Sequence, residues 1–104
     1  MFKEMEKKEI LVIGTNPGII QTIVRLINNN ELWNGTGVLS ADDAVNAFEN
    51  NPFDVVLFGG GLLDDEEKEL SIIFRAIKAD IPLVKHYGGG SGLLSCEIYQ
   101  ALGV

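Results

Sequence analysis

Three glycine-rich segments are the part of this 104-residue sequence best suited to bind a ligand through the backbone. They are Gly14-Thr15-Asn16-Pro17, Gly59-Gly60-Gly61 and Gly88-Gly89-Gly90-Ser91-Gly92. Glycine lets backbone N–H groups approach an anion, and a helix beginning at Ser91 or Gly92 would point its positive end at the same place. The candidate anion-binding residues are Gly60, Gly61, Gly89, Gly90 and Ser91. The interpretation that these glycines only form tight turns is favoured over an anion site, because neither Gly-x-x-x-x-Gly-Lys-Ser/Thr nor Gly-x-Gly-x-x-Gly follows the first apolar run.

Few reactive side chains accompany these segments. His86 is the only histidine and Cys96 the only cysteine, and neither has a partner motif, so a structural histidine and a packed thiol are favoured over catalytic roles. The carboxylates Asp64 to Glu67 favour a solvated acidic cap at a helix start over a cation site. No nucleophile with its base and no set of metal ligands can be assembled, so we expect no enzyme activity, no metal and no cofactor.

The apolar pattern predicts alternating strands and helices. Val55 to Phe58, preceded by Phe53, is an apolar run typical of a central strand buried on both faces, and it ends at Gly59. The other predicted strands are Ile10–Ile13, a glycine-containing edge strand 33–40, and Ile81–Tyr87. Helices are predicted from Pro17, after the cap Ser40, from Asp64, and over Leu93–Leu102. This order indicates one three-layer α/β/α domain over residues 1–104, with a parallel sheet of about four strands in the order 2-1-3-4.

Composition narrows the class of partner. Eight basic and fifteen acidic residues give a net charge of −7, which argues against nucleic acid. No apolar segment approaches the ~20 residues that span a bilayer, and the charged lead-in, Met1 to Glu9, lacks a signal-peptide pattern. We therefore expect a cytoplasmic protein without a membrane or nucleic-acid partner.

The chain resembles the receiver domain of bacterial response regulators, the CheY-like, flavodoxin-like phosphoacceptor module of two-component signalling. The resemblance runs from about Glu9 to Leu102. Its most specific stretch is Ser40 to Phe58, which is similar to the second helix and third strand of that family. Asp80 to Val84 is similar to the approach to the family's fourth strand.

The resemblance implies a phosphoacceptor pocket whose acidic residues this chain lacks. In receivers an acidic pair after the first strand holds Mg²⁺, an aspartate ending the third strand accepts phosphate, and a Thr or Ser follows the fourth strand. The matching positions here are Thr15, Asn16, Gly59 and Tyr87. Mg²⁺ needs charged oxygen ligands to offset its dehydration, so we expect no phosphoryl transfer.

A receiver also has a fifth strand, with a lysine, and a fifth helix. One alignment ends this chain after the fourth strand and helix, and a second makes Lys85 that lysine and Leu93–Leu102 the last helix. The first is favoured because of its spacing from Gly59 to Tyr87, and in either case one βα unit is missing. Leu83, Val84 and Lys85 then form an open sheet edge, which is a candidate interface. This edge would be covered by the terminal helix, by a second copy of the chain, or by a strand of another protein.

These observations favour a degenerate, truncated receiver-like module without Asp phosphorylation. It would act in signalling or as a scaffold through protein contacts, with a homodimer as the preferred partner arrangement. The alternative is a module that binds a small anion or a nucleotide through the glycine-rich loops at the carboxyl edge of the sheet. An enzyme is the least supported class.

Overall fold

The computed structural model of the chain describes residues 7–86 and 91–103. Within these residues, four strands alternate with four helices, which confirms the predicted order of elements. The elements are β1 (Lys8–Ile13), α1 (Pro17–Asn28), β2 (Trp33–Val38), α2 (Ala41–Asn50), β3 (Val55–Phe58), α3 (Asp64–Ile77), β4 (Leu83–Lys85) and α4 (Ser91–Leu102).

The four strands form one parallel sheet in the order β2-β1-β3-β4, which confirms the predicted order. β1 and β3 are the central pair, with Ile10 opposite Val55 and Ile13 opposite Phe58. All four residues of β3 are buried, because helices cover both faces of this strand. The carboxyl ends of β1 and β3 therefore meet in the middle of one edge of the sheet, where open α/β sheets bind ligands.

Helices cover both faces of the sheet, as predicted for a three-layer α/β/α domain. Successive residues of a strand point to opposite faces, so Ile10 and Val12 of β1 pack with α1 and α4, whereas Leu11 and Ile13 pack with α2 and α3. The buried helical residues of the first cluster are Ile20, Ile23, Ile27, Leu94 and Ile98. Those of the second are Ala44, Phe48, Leu70 and Phe74.

The position of α4 bears on the alignment with receivers. α2 and α3 connect strands that follow one another in the same direction across the sheet, and both lie on one face because such crossovers are right-handed. A helix leading from β4 to a further strand beyond it would lie on that face too. α4 instead packs on the opposite face of the sheet, together with α1. β4 thus lies beside β3, as the fourth strand of the favoured alignment would, whereas α4 does not lie on the face where a helix leading to a further strand would lie.

The ends of several elements follow from single residues. Asn16 Oδ1 accepts a hydrogen bond from the Ile19 N–H, and Ser40 Oγ accepts one from the Asp43 N–H, so these two side chains begin α1 and α2. β4 is shorter than the predicted strand 81–87. Pro82 has no N–H to donate, and the Ile81 N–H donates to the Lys78 carbonyl oxygen instead.

The prediction of a packed thiol at Cys96 is wrong, because this cysteine is exposed. Leu94 and Ile98 mark the buried side of α4, and position 96 lies two residues from each, on the opposite side of the helix. No helix within residues 7–86 and 91–103 is long and apolar enough to cross a membrane.

Candidate functional site

The sheet brings three of the four predicted pocket positions together at its carboxyl edge. Thr15 and Asn16 follow β1, and Gly59 follows the neighbouring strand β3. The Gly59 N–H donates to the Ile13 carbonyl oxygen at 2.6 Å, and the Thr15 N–H donates to the Gly60 carbonyl oxygen at 3.4 Å. Tyr87, the fourth position, lies outside the described residues.

The turn after β3 requires glycine at two positions. Gly60 and Gly61 have φ values of 97° and 88°, in the left-handed region that residues with a side chain rarely adopt. A Cβ atom at Gly61 would also lie 2.0 Å from Thr15 Oγ1. This turn therefore holds the loop after β3 directly against the loop after β1.

The crevice between the two loops is occupied by an apolar side chain of α1. A Cβ atom at Gly14 would lie 2.7 Å from Ile20 Cδ1, and a Cβ atom at Gly59 would lie 3.1 Å from the same methyl group. The Ile13 carbonyl oxygen would lie 3.3 Å from the Cβ atom at Gly59. Among the described residues, the three atoms nearest to a Cβ at Gly59 are therefore two isoleucine methyl carbons and a carbonyl oxygen, and none of them belongs to a carboxylate.

Asn16 and Thr15 do not replace the missing acidic pair. Asn16 Oδ1 lies 3.1 Å from the Ile19 nitrogen and caps α1, so this oxygen is already committed to a backbone donor. The hydroxyl of Thr15 is uncharged, and Gly59 has no side chain. This donor set does not fit Mg²⁺, which is held in proteins chiefly by carboxylate oxygens. Within the described residues, no three His, Cys, Asp or Glu side chains are placed to hold a metal ion.

The hydrogen bonds of the loops also reduce their ability to bind an anion. The N–H groups of Thr15 and Gly59 already donate to carbonyl oxygens, and those oxygens would repel an anion. Of the other predicted residues, Gly89 and Gly90 lie outside the described residues, and Ser91 begins α4. Gly60 and Gly61 are at the predicted sheet edge, and anion binding there stays a prediction.

An ion pair joins α3 to β4 beside this edge. Lys85 Nζ lies 3.3 Å from Glu67 Oε1, and the exposed fractions of the two side chains are 61% and 7%. The prediction of a solvated acidic cap is therefore wrong for Glu67. This residue lies three and seven positions before Leu70 and Phe74, on the buried side of α3, and a contiguous run of four acidic residues conceals that periodicity.

A groove of about 430 Å³ lies between α3 and β4. Its lining combines two apolar side chains with five polar or charged ones, namely Phe58, Leu83, Asp64, Glu67, Lys68, Ser71 and Lys85. The predicted interface residues Leu83 and Lys85 thus line a concave surface. The third, Val84, is partly buried on the opposite face of the sheet, where it packs with the α1 and α4 cluster.

His86 has a partner that the sequence did not indicate. Its side chain is 5% exposed, and its Nδ1 contacts Glu97 Oε1 of α4. Its backbone N–H donates to the Phe58 carbonyl oxygen at 2.8 Å. The predicted structural role agrees with this position, because His86 connects the end of β4 to both β3 and α4.

Solved structures with this architecture include signalling proteins. A sensor protein from Polaromonas sp. JS666 matches with a TM-score of 0.78 and 15% identity, over 91% of this chain and 95% of that chain. A CheY-like response regulator receiver domain protein from Methanospirillum hungatei JF-1 matches with a TM-score of 0.70 and 21% identity, over 92% and 76%. The signal receiver domain of an HD domain-containing protein from Pseudomonas fluorescens Pf-5 matches with a TM-score of 0.69 and 14% identity, over 95% and 78%.

The chain has the receiver-domain fold. This conclusion comes from structure, because no protein-family model and no curated protein matches the sequence. The likeness confirms the predicted receiver-like, flavodoxin-like architecture with four parallel strands. At these identities the likeness concerns the fold alone, and the chemistry of the chain depends on its own residues.

Proposed function

We propose that this chain is a non-catalytic, receiver-like signalling or scaffold module that acts through protein contacts. The receiver-domain fold supports a place in signalling. The observation that carries the proposal is the environment of Gly59, at the position that matches the phosphoacceptor of the resemblance. Gly59 itself has no side chain, and Ile20 Cδ1 and the Ile13 carbonyl oxygen occupy the space where a side chain would begin.

The absence of phosphoryl transfer follows from this environment. An acceptor carboxylate is needed to attack the phosphorus atom, and a divalent cation is needed to neutralise charge on the transferred group. Neither Thr15 nor Asn16 supplies a charged ligand for that cation. A module of this kind transmits information by binding and not by modification, and we propose that it does so in the cytoplasm.

The test is incubation of the purified chain with Mg²⁺ and acetyl phosphate, followed by intact-mass measurement. We expect no phosphorylated species under conditions in which a receiver domain with its acidic residues intact is labelled. A phosphorylated species of the wild-type chain would overturn the proposal. The triple variant T15D/N16D/G59D tests separately whether the fold supports phosphorylation once three carboxylates are present.

A further inference from the structure

We propose that two copies of this chain pair through their β4 edges, about a two-fold axis at Val84, to form one continuous eight-stranded sheet. This inference rests on the proposed function, because it names the partner through which a protein-contact module would act. The occupant of the groove between α3 and β4 is then the α3 helix of the second copy.

The two edges of the sheet differ in how well they are protected. At the β2 edge, the Leu32 and Val38 carbonyl oxygens accept from the N–H groups of Lys8 and Gly14. Of the residues between them, Trp33, Gly35 and Gly37 therefore direct their backbone groups outward. The Trp33 N–H donates to the Asn30 carbonyl oxygen, and the Gly35 N–H donates to Asn28 Oδ1 at 2.8 Å. Two of the three outward N–H groups of β2 are therefore satisfied within the chain.

The β4 edge has no such protection among the described residues. The Pro82 carbonyl oxygen accepts from the Val56 N–H, and the His86 N–H donates to the Phe58 carbonyl oxygen, so Leu83 and Lys85 direct their backbone groups outward. Within residues 7–86 and 91–103, the outward N–H groups of these two residues have no acceptor.

These two residues fit a two-fold axis at the residue between them. In an antiparallel pair centred on Val84, Leu83 lies opposite Lys85 of the partner subunit, and each of the two such pairs exchanges two hydrogen bonds. All outward backbone groups of Leu83 and Lys85 are then used. The strand is short, so side-chain contacts must add to these bonds.

Charges along α3 provide that second contribution. Asp64, Lys68 and Ser71 line the groove, and Arg75, four residues after Ser71, continues the same stripe. The two-fold axis makes the two α3 helices antiparallel, so the acidic start of each stripe lies beside the basic end of the other. Asp64 then faces Arg75 of the partner subunit, twice in each dimer. The surface is thus complementary to itself despite the net charge of −7.

A charge-swap series with solution mass as the readout tests the pairing. At physiological ionic strength we expect the wild-type chain to be a concentration-dependent dimer. D64R and R75E should each raise the dimer Kd at least about tenfold, because each places like charges opposite one another twice. The double variant D64R/R75E should restore the wild-type Kd, since opposite charges face each other again.

Matched controls separate this effect from general changes in charge or folding. Asp42 lies in the first turn of α2 and Arg25 in the last turn of α1, both outside the groove. D42R and R25E therefore repeat the same substitutions and should leave the dimer Kd unchanged. Thermal unfolding of each variant checks that it is folded at the temperature of the mass measurement.

Hydrogen exchange identifies the edge that pairs. The amides of Leu83 and Lys85 should be protected at concentrations that give dimer and should exchange rapidly in the monomer. The Val84 amide points toward β3 and should be protected in both. A monomer at all concentrations, a dimer with unprotected Leu83 and Lys85 amides, or a double variant without recovery would each overturn the proposal. Phosphate uptake from acetyl phosphate would overturn the proposed function and leave the dimer measurement unaffected.

Discussion

Lys85 of β4 pairs with Glu67 in the first turn of α3, with 3.3 Å between Nζ and Oε1. Glu67 is almost buried and Lys85 is largely exposed, so the pair joins the core to the surface of the groove. The buried carboxylate lies in the first turn of α3.

The energetic coupling within this ion pair should be modest. In a double-mutant cycle with E67Q and K85M, we expect a coupling free energy of about 0.2–1 kcal/mol, because solvent screens the exposed lysine. The coupling should fall as NaCl is raised to about 1 M, where the Debye length is about 3 Å. Urea unfolding measures each free energy. The control cycle of E67Q with R25M should be additive, and additivity of E67Q with K85M would contradict the pairing.

The turn at Gly61 should tolerate no side chain. G61A combines a left-handed backbone cost of about 1–2 kcal/mol with a collision against Thr15 Oγ1 that costs about 1–3 kcal/mol. Gly103 is a matched control, since its φ is +79° but no atom lies within 4 Å of a Cβ placed there. Urea unfolding should therefore give a clearly larger loss for G61A than for G103A. Equal losses of unfolding free energy in G61A and G103A would mean that a side chain at position 61 does not collide with Thr15.

Substitution of Tyr99 should reveal how α4 docks, because the ring of this residue contacts Trp33, the only tryptophan of the sequence. Its ring centroid lies 4.9 Å from that of buried Trp33, and its hydroxyl is 3.3 Å from the Asn30 side-chain nitrogen. Y99F should keep the ring contact and change stability by less than about 1 kcal/mol. Y99A should cost about 1–2 kcal/mol and shift tryptophan emission to longer wavelength. Unchanged emission in Y99A would contradict the ring contact.

The sequence predicted the architecture because the strands and helices carry their own periodicity. The apolar runs in β1 and β3 show no polar alternation, and α1 and α3 each show a stripe of apolar residues at helical spacing. Once the elements were assigned, the rules for connections between parallel strands predicted the strand order. The glycine-containing strand β2 lies at a sheet edge, as predicted, but glycine is needed there because of helix packing. A Cβ atom at Gly37 would lie 2.7 Å from Ile20 Cγ2, so α1 approaches this strand too closely for a side chain.

The polar contacts of the site were less predictable, since they join residues on different elements. Glu67 belonged to an acidic run that resembled an ordinary helix cap. Glu97 stands alone in a helix whose other polar residues gave no pattern, so nothing marked it as the partner of His86. Pair contacts of this kind depend on the packing of α4 against β4, which local sequence does not specify.

The contact between His86 and Glu97 should contribute to the docking of α4. The histidine side chain is almost fully buried, so H86A leaves the Glu97 carboxylate without this partner, and E97Q replaces a charged acceptor by a weaker neutral one. We expect H86A and E97Q each to lower the free energy of unfolding by about 1–3 kcal/mol. The double variant should lose less than the sum, with a coupling of about 0.5–3 kcal/mol. Urea unfolding followed by Trp33 fluorescence measures all three.

The same substitution at an exposed position supplies the control for this last cycle. Glu49 lies on the exposed side of α2, and E49Q should change stability by less than about 0.5 kcal/mol and be additive with H86A. Strict additivity of H86A with E97Q would show that the two side chains do not interact in solution. The attachment of α4 would then depend on its other contacts, including the buried Leu94 and Ile98. In that case H86A and E97Q should each leave the fluorescence of Trp33 in the folded state unchanged.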